Sequence, residues 1–428
     1  MKTKTKLSSI ALFALLGGSA WAQSAQVTPQ QIDALNQRIA ELEKRLAQVD
    51  EASPSQAHLQ TAKDPDAVKI GSVSIKPYGY IKVDATYDSH KPFPSTGGLT
   101  LYAQPEVNGS DSQTDFSARD SRLGLDFDLP VSHGIKATAK LETDFFSNGS
   151  ETAYGLRLRH SYINLDFGDG LSVRAGQDWD AFFYVAPITV DAGFLGNAGH
   201  LYSRRPQLKL SKVVQLDNDS KLTFKLALAK TSAGDSDLLG QDDGLDSAQP
   251  TVEALIAFDA PIFTSKPAKF SIGGQFGKET LDQPGANDSR DFDSHLLVAG
   301  LHIPFAEQFA LQANLWTGEN LDGFLGGVGQ GINTTLDTSV AAKGGWVQAV
   351  FYPTDRWNLN LGYGIDDPKD EDLNPGGRSK NSRLFVSAFY QLTEAVTLAA
   401  EYSHITTGYK DASDASDNRI QLSTKYQF

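Results

Sequence analysis

The chain has 428 residues, 38 Lys and Arg against 52 Asp and Glu, a net charge of −14, and no cysteine. The missing thiols exclude disulfides and thiolate-based metal or redox centres, and the acidic balance argues against a nucleic-acid binder, which needs a basic face to neutralise phosphates. A hydrophobic content of 40% is low for a helical membrane protein, but it suits a transmembrane barrel, in which only alternate residues face lipid.

Residues 1–22 read as a signal peptide, with a positive start at Lys2, Lys4 and Lys6, an apolar centre at 10–16 and a small-residue cleavage site at Ala20-Trp21-Ala22. No later run approaches the ~18 apolar residues of a spanning helix. Residues 23–50 predict a coiled-coil helix in the periplasm. Thr28-Pro29 starts it, Ile32, Leu35, Ile39, Leu42, Leu46 and Val49 occupy a and d positions, and Arg38 and Arg45 are placed to meet Glu43 and Asp50 of parallel neighbours. So short a coil needs an oligomer behind it to raise the local concentration. Residues 51–74, with Ser53, Pro54, Ser55, Asp64 and Pro65, predict a flexible linker.

From 75 to 428 a period of two takes over, as in Ile81/Val83/Ala85/Tyr87, Leu123/Leu125/Phe127/Leu129 and Trp357/Leu359/Leu361/Tyr363. The last run, Ile420, Leu422, Thr424, Tyr426 and Phe428, ends on an aromatic residue, similar to the terminal signature of outer-membrane barrels. About 16 segments can be placed, each near the ~9–11 residues that a tilted strand needs to cross a bilayer. Near His160 the apolar parity slips, which predicts a bulge. Segments 293–303 and 382–391 are apolar on both parities.

Short turns at 130–134, 168–170, 216–220, 304–308, 353–356 and 393–395 alternate with long polar segments near 88–115, 179–204, 231–250, 279–291, 318–343, 366–381 and 407–417. A soluble sandwich has no reason to sort its connections in this way, whereas an outer-membrane barrel does. The predicted fold is an all-β transmembrane barrel of ~16 antiparallel strands with a short N-terminal coiled-coil helix, in a Gram-negative outer membrane.

If apolar residues face lipid, the other parity lines the lumen. There Lys82, Arg122, Lys136, Lys140, Arg157, Arg159, Arg174, Arg205, Lys209, Lys221 and Lys225 interleave with Asp84, Asp126, Glu142, Asp144 and Asp178. Such a set is either a salt-bridge network that satisfies enclosed charges or a ladder that guides anions, because rings of Arg and Lys select them and arginine grips carboxylates and phosphates bidentately. The segment 179–204 carries Phe182, Phe183, Tyr184, Phe194 and several glycines. Its apolar character predicts a third loop folded into the barrel, with Asp180, Asp191 and His200 near the arginines. The remaining loops are acidic and solvated, suited to meeting divalent cations and lipopolysaccharide. No EF-hand spacing occurs, and neither a metal site nor a cofactor is expected.

Four segments, I-K-P-Y-G-Y-I-K-V-D-A at 75–85, A-R-D-S-R-L-G-L at 118–125, L-R-L-R-H-S-Y-I at 156–163 and V-R-A-G-Q-D-W at 173–179, together with the coiled-coil prefix, resemble the DcaP-like porins over nearly the whole mature chain. The resemblance implies a homotrimer of 16-stranded barrels that takes up small anionic solutes, notably dicarboxylates, with its N-terminal helices in the periplasm. By motif match it implies Arg119, Arg122, Arg157, Arg159 and Arg174 as selectivity residues, although Arg119 falls on the lipid parity unless the strand is bulged there. Arg205, Lys209, Lys140, Asp178 and Asp180 complete the candidate constriction.

Two further readings stay open. A sugar-specific porin would need a slide of lumenal rings, for which Trp316, Trp346 and Phe385 are candidates. A tether would use residues 23–50 to grip peptidoglycan or a periplasmic partner. An enzyme is disfavoured, since H-E-x-x-H is absent and the adjacent His160 and Ser161 would point to opposite faces of a strand.

Overall fold

Period-two alternation builds a wall in which each strand pairs with its sequence neighbour. The computed structural model describes residues 67–94, 97–105, 112–150, 153–217, 219–231, 243–282 and 289–428. The signal-peptide and coiled-coil segments, with most of the linker, lie outside the described residues. Within them sixteen antiparallel strands close a barrel. β1 is Val73–Asp88, and β2 comes in two pieces, Gln113–Ser117 and Arg122–Asp128. Next come β3 Lys136–Ser150, β4 Ala153–Asp166, β5 Leu171–Trp179, β6 Arg204–Gln215, β7 Lys221–Ala229 and β8 Thr251–Pro261. The circuit continues with β9 Pro267–Asp282, β10 Ser289–Ala306, β11 Phe309–Glu319, β12 Ala341–Thr354, β13 Trp357–Pro368, β14 Arg378–Gln391, β15 Val396–Tyr409 and β16 Ala415–Gln427.

The ladder from Tyr80↔Gln427 to Asp88↔Arg419 joins β16 to β1, and Gly79 and Phe428 exchange two backbone hydrogen bonds of 3.1 Å at the seam. Closure pairs every strand and leaves no aggregation-prone edge. Large apolar side chains such as Ile81, Val83, Phe116, Leu123, Ile163, Leu315, Leu361 and Leu422 stand exposed on the outer surface. So continuous an apolar exterior fits hydrocarbon rather than water. No described helix is long and apolar enough to cross a membrane; the strands do that work.

Connections 129–135, 167–170, 216–220, 262–266, 307–308, 355–356 and 392–395 lie at one end, and L1 (89–112), L2 (151–152), L3 (180–203), L4 (230–250), L5 (283–288), L6 (320–340), L7 (369–377) and L8 (410–414) at the other. L2 is the short exception, because β3 and β4 run on as a long hairpin. The two segments with apolar residues on both parities fall in β10 and β14, where Leu296, Val298 and Phe385 point inward yet are buried.

Two irregularities reset side-chain facing. In β4, Glu142 pairs with His160 but Thr143 with Leu158, so Arg159 is an extra residue and both Arg159 and His160 are buried in the interior. In β2, Ser117 pairs with Asp84 and Arg122 with Tyr80, which sets four residues of β2 against three of β1. The ladder also begins earlier than residue 75. Val68–Ile70 pairs with the start of β1 around Gly71, whose φ of +62° suits a tight turn, so the end of the stretch read as linker is strand.

Candidate functional site

L3 leaves β5 after Trp179 and enters the barrel, as its apolar composition predicts. Successive backbone groups are caught by inward side chains of distant strands. The Ala181 amide donates to Glu253 on β8 at 2.6 Å, Gln348 on β12 holds both the amide (2.9 Å) and the carbonyl (3.2 Å) of Ile188, and the Val190 amide donates to Glu401 on β15 at 2.6 Å. On the way back Asn381 donates to Asn197 O at 2.7 Å and the Trp316 indole to Gly199 O at 2.8 Å. Gly199, at φ +108°, lies so close to β12 that a Cβ would meet Gly345 O at 2.1 Å.

Beneath L3 two apolar clusters form, Phe182, Leu201, Leu296, Val298, Trp316, Leu321, Phe324 and Ala342 in one and Val185, Leu195, Ala198, Trp346 and Phe385 in the other. Trp316, Trp346 and Phe385 are thus covered by the loop, Phe385 completely, and offer no rings to a passing sugar. Burial pushes the imidazole of His200, in L3 outside the spanning strands, down to about 4, and its Nδ1 lies 2.9 Å from Phe194 O. His200 packs against Phe183, Tyr202 and Trp346 rather than meeting an arginine. Asp191 does meet arginines, at 3.4 Å from Arg383 and 3.7 Å from Arg419.

L3 therefore occupies the β8–β16 side and faces the charged wall of β1–β7. Most of the basic ladder there is ion-paired. Arg157 grips Asp144 bidentately at 2.9 and 2.7 Å. Arg159, almost fully buried, spans Glu142 (2.7 Å) and Asp144 (2.8 Å), and Arg122 lies 3.5 Å from Glu142. Arg174 and Lys209 share Asp178, each at 2.6 Å. Lys140 bonds Asp126 and the Tyr78 hydroxyl, both at 2.8 Å, and lies over the Tyr78 ring. Arg205 sits 3.1 Å from Asp180 and 3.9 Å from Glu253, with Phe324 against its guanidinium. These seven cations, with Asp178 and Asp180, are all the sequence-derived candidates except Arg119.

Arg119 lies in the β2 irregularity. Its guanidinium donates to the carbonyls of Phe145 (3.2 Å) and Ser147 (2.9 Å) and stacks on Phe146 and Tyr154. The extra residue instead turns Asp120 inward, where it pairs with Lys82 at 2.8 Å.

A cavity of about 270 Å³ opens between L3 residues Thr189–Phe194 and the wall of β14, β15, β16, β1 and β2. Tyr80, Lys82, Arg122 and Lys425 line it, with Asp120 and Asp191 as the carboxylates. Arg122 and Lys425 approach the Tyr80 ring at 5.0 and 5.5 Å. Among the described residues Lys425, Lys225 and Lys269 have no carboxylate within ion-pair range, the last two lying near the Tyr184 ring of L3. Lys425 and Lys269 were missed as site residues. Their inward parity is readable, but the absence of an acidic partner depends on register. The described residues hold no group of three or more His, Asp or Glu placed to bind a metal.

A closed sixteen-stranded barrel with an inward third loop and a charged lumen defines an outer-membrane porin. A model of the DcaP outer membrane protein family matches residues 18–239, and the chain belongs to that family. Among solved structures it is similar to the outer membrane channel DcaP of Acinetobacter baumannii, with a TM-score of 0.67 at 20% identity, covering 84% of this chain and 99% of that one. It is similar to the anion-selective porin of Comamonas acidovorans, with a TM-score of 0.53 at 16% identity over 83% of this chain and 100% of that one. The trimer form of Vibrio cholerae OmpT gives a TM-score of 0.53 at 13% identity, again over 83% and 100%. No curated protein matches the sequence. The family and these structures are porins and channels, not enzymes.

Proposed function

We propose that this porin is a passive diffusion channel that favours small hydrophilic anions, dicarboxylates among them. The observation that carries this reading is the cavity facing L3, where Lys425, beside Arg122 and Lys82, has no carboxylate within ion-pair range among the described residues. Paired arginines still contribute. A guanidinium has five donors, and the side chains of Arg157 and Arg174 keep 39% and 30% exposure, so each can meet a solute while held in place by its carboxylate. Conduction needs sites that attract an ion without trapping it. The interleaved acids supply that moderation, and the free lysines supply the excess positive field in a narrow passage.

The long-loop end faces outward and the short turns face the periplasm, following the asymmetry of such barrels. The heptad pattern of residues 23–50, which lie outside the described residues, supports a coiled coil on the periplasmic side of a homotrimer, and a trimeric porin stands among the structural neighbours. Liposome swelling checks the substrate class. Succinate should enter much faster than a neutral sugar or a diamine of similar size, and equal rates would contradict the proposal.

A further inference from the structure

Residues 97–103 of L1 also enter the barrel, where Gly98, Thr100, Tyr102 and Ala103 are buried. Their backbone is taken up by the strands that hold L3. Asn381 donates to Leu101 O at 2.8 Å as well as to Asn197 O of L3, Thr407 accepts from the Ala103 amide at 2.9 Å, and the Tyr409 hydroxyl donates to Ala103 O at 2.7 Å. The two loops also meet directly. The Ala192 amide donates to Gly98 O at 3.2 Å, and Leu99 and Leu101 lie so near Gly193 and Gly196 of L3 that a Cβ there would come within 2.8 and 3.3 Å of them. Both loops converge on two buried arginines. Arg419 on β16 donates to the Thr100 hydroxyl at 2.9 Å and lies 3.7 Å from Asp191. Arg383 on β14 reaches both Thr100 O and Asp191 at 3.4 Å. Asp88 and Glu401 anchor the two guanidiniums at 2.9 and 2.8 Å.

We propose that L1 is a second constriction loop, and that Thr100, Arg383 and Arg419 are positioning residues that set the width of the anion cavity by clamping L1 to the tip of L3. The tip residues Thr189–Phe194, with Asp191 among them, form one side of the cavity that holds Lys425. None of the three clamp residues lines that cavity, so they act on a permeating ion through L3 and not by contact. Hydrogen bonds to a charged guanidinium are the strong ones, and here they tie both loops to the same two side chains. Releasing L1 removes part of the backing of the tip and lets it move away from the wall. An ion held ~8 Å instead of ~6 Å from the Lys425 ammonium loses about threefold in occupancy at an effective dielectric of ~20. The sign of that change follows from the anion-channel reading proposed above, whereas a wider and less steady passage follows from the clamp alone.

Thr100→Val keeps the shape of the side chain and removes the hydroxyl that Arg419 holds, whereas Thr100→Ser keeps the hydroxyl. Planar-bilayer recordings of the full chain compare both with wild type. Thr100→Val should raise single-channel conductance and open-channel noise, and should lower the anion/cation permeability ratio about threefold. Thr100→Ser should match wild type in all three. If Thr100→Val does not fold, Thr407→Val, which loses the bond to the Ala103 amide, decides in its place. Wild-type conductance and noise in the valine variant, or a serine variant that behaves like it, would overturn the clamp. A wild-type channel without anion preference would overturn the proposed function instead, and conductance and noise would still decide on the clamp.

Discussion

Replacing Lys425 with alanine removes one positive charge from the cavity beside L3 and little else. Its ammonium has no carboxylate partner among the described residues, and its cross-strand neighbours are Thr397 and Lys82. Lys82 is held separately by Asp120 (2.8 Å) and Val190 O (2.9 Å), so the change relieves a like-charge pair and should not harm folding. An ion at the centre of a cavity of about 270 Å³ lies on the order of 6 Å from the ammonium. Coulomb's law then gives about 0.7 kcal/mol in bulk water and about 3 kcal/mol at an effective dielectric of ~20. Even the smaller value changes anion occupancy about threefold, and cation occupancy by the same factor in the opposite sense. The anion/cation permeability ratio should therefore fall several-fold in ~0.1 M salt. At ~1 M, where the screening length is about 3 Å, most of the effect should vanish. Reversal potentials in planar bilayers at the two ionic strengths measure this directly. No change at low salt, or an equal change at high salt, would exclude a direct field effect of Lys425 on the permeating ion.

Arg122→Ala and Arg174→Ala should also weaken anion preference in the same assay without loss of the barrel, because Glu142 keeps Arg159 and Asp178 keeps Lys209. Arg159→Ala should instead cut the yield of folded channel modestly, since it takes one shared cation from two buried carboxylates that keep Arg122 and Arg157, a cost below the about 3–5 kcal/mol of a buried charge left unpaired. Gly199→Ala forces a Cβ against Gly345 O and should lift L3 from Trp316, seen as larger and noisier single-channel conductance in a protein that still folds; wild-type conductance would contradict the placement of L3. Deleting residues 23–60 should leave conductance intact and alter envelope attachment if the segment is a tether, whereas dissociated barrels on size-exclusion chromatography would assign it to assembly.

The wall was legible because a half-buried strand leaves a period-two signature and a barrel sorts its connections by length. The slip at His160 marked a true bulge, and the doubtful parity of Arg119 had the same origin, since Phe116 and Leu123 both face outward although an odd number of residues apart. The two-faced pattern of β10 and β14 carried a further signal. Inward apolar residues such as Leu296 and Phe385 mark strands covered by an inward loop rather than by water. That same cover explains why the three scattered rings are packing residues and not a sugar path. What single-strand reading could not supply was partnership. Whether a lumenal cation is free or paired depends on cross-strand register, on bulges, and on closure of β16 against β1, which brings Lys425 beside Lys82 and Arg122 from opposite ends of the chain.

We propose that excess positive charge in the lumen, and not the net charge of −14, sets the selectivity. The reversal potential of the wild-type channel in a potassium chloride gradient tests it most directly. A potential of the sign set by chloride, growing as ionic strength falls, is the predicted result, and a cation-selective channel at neutral pH would contradict the account.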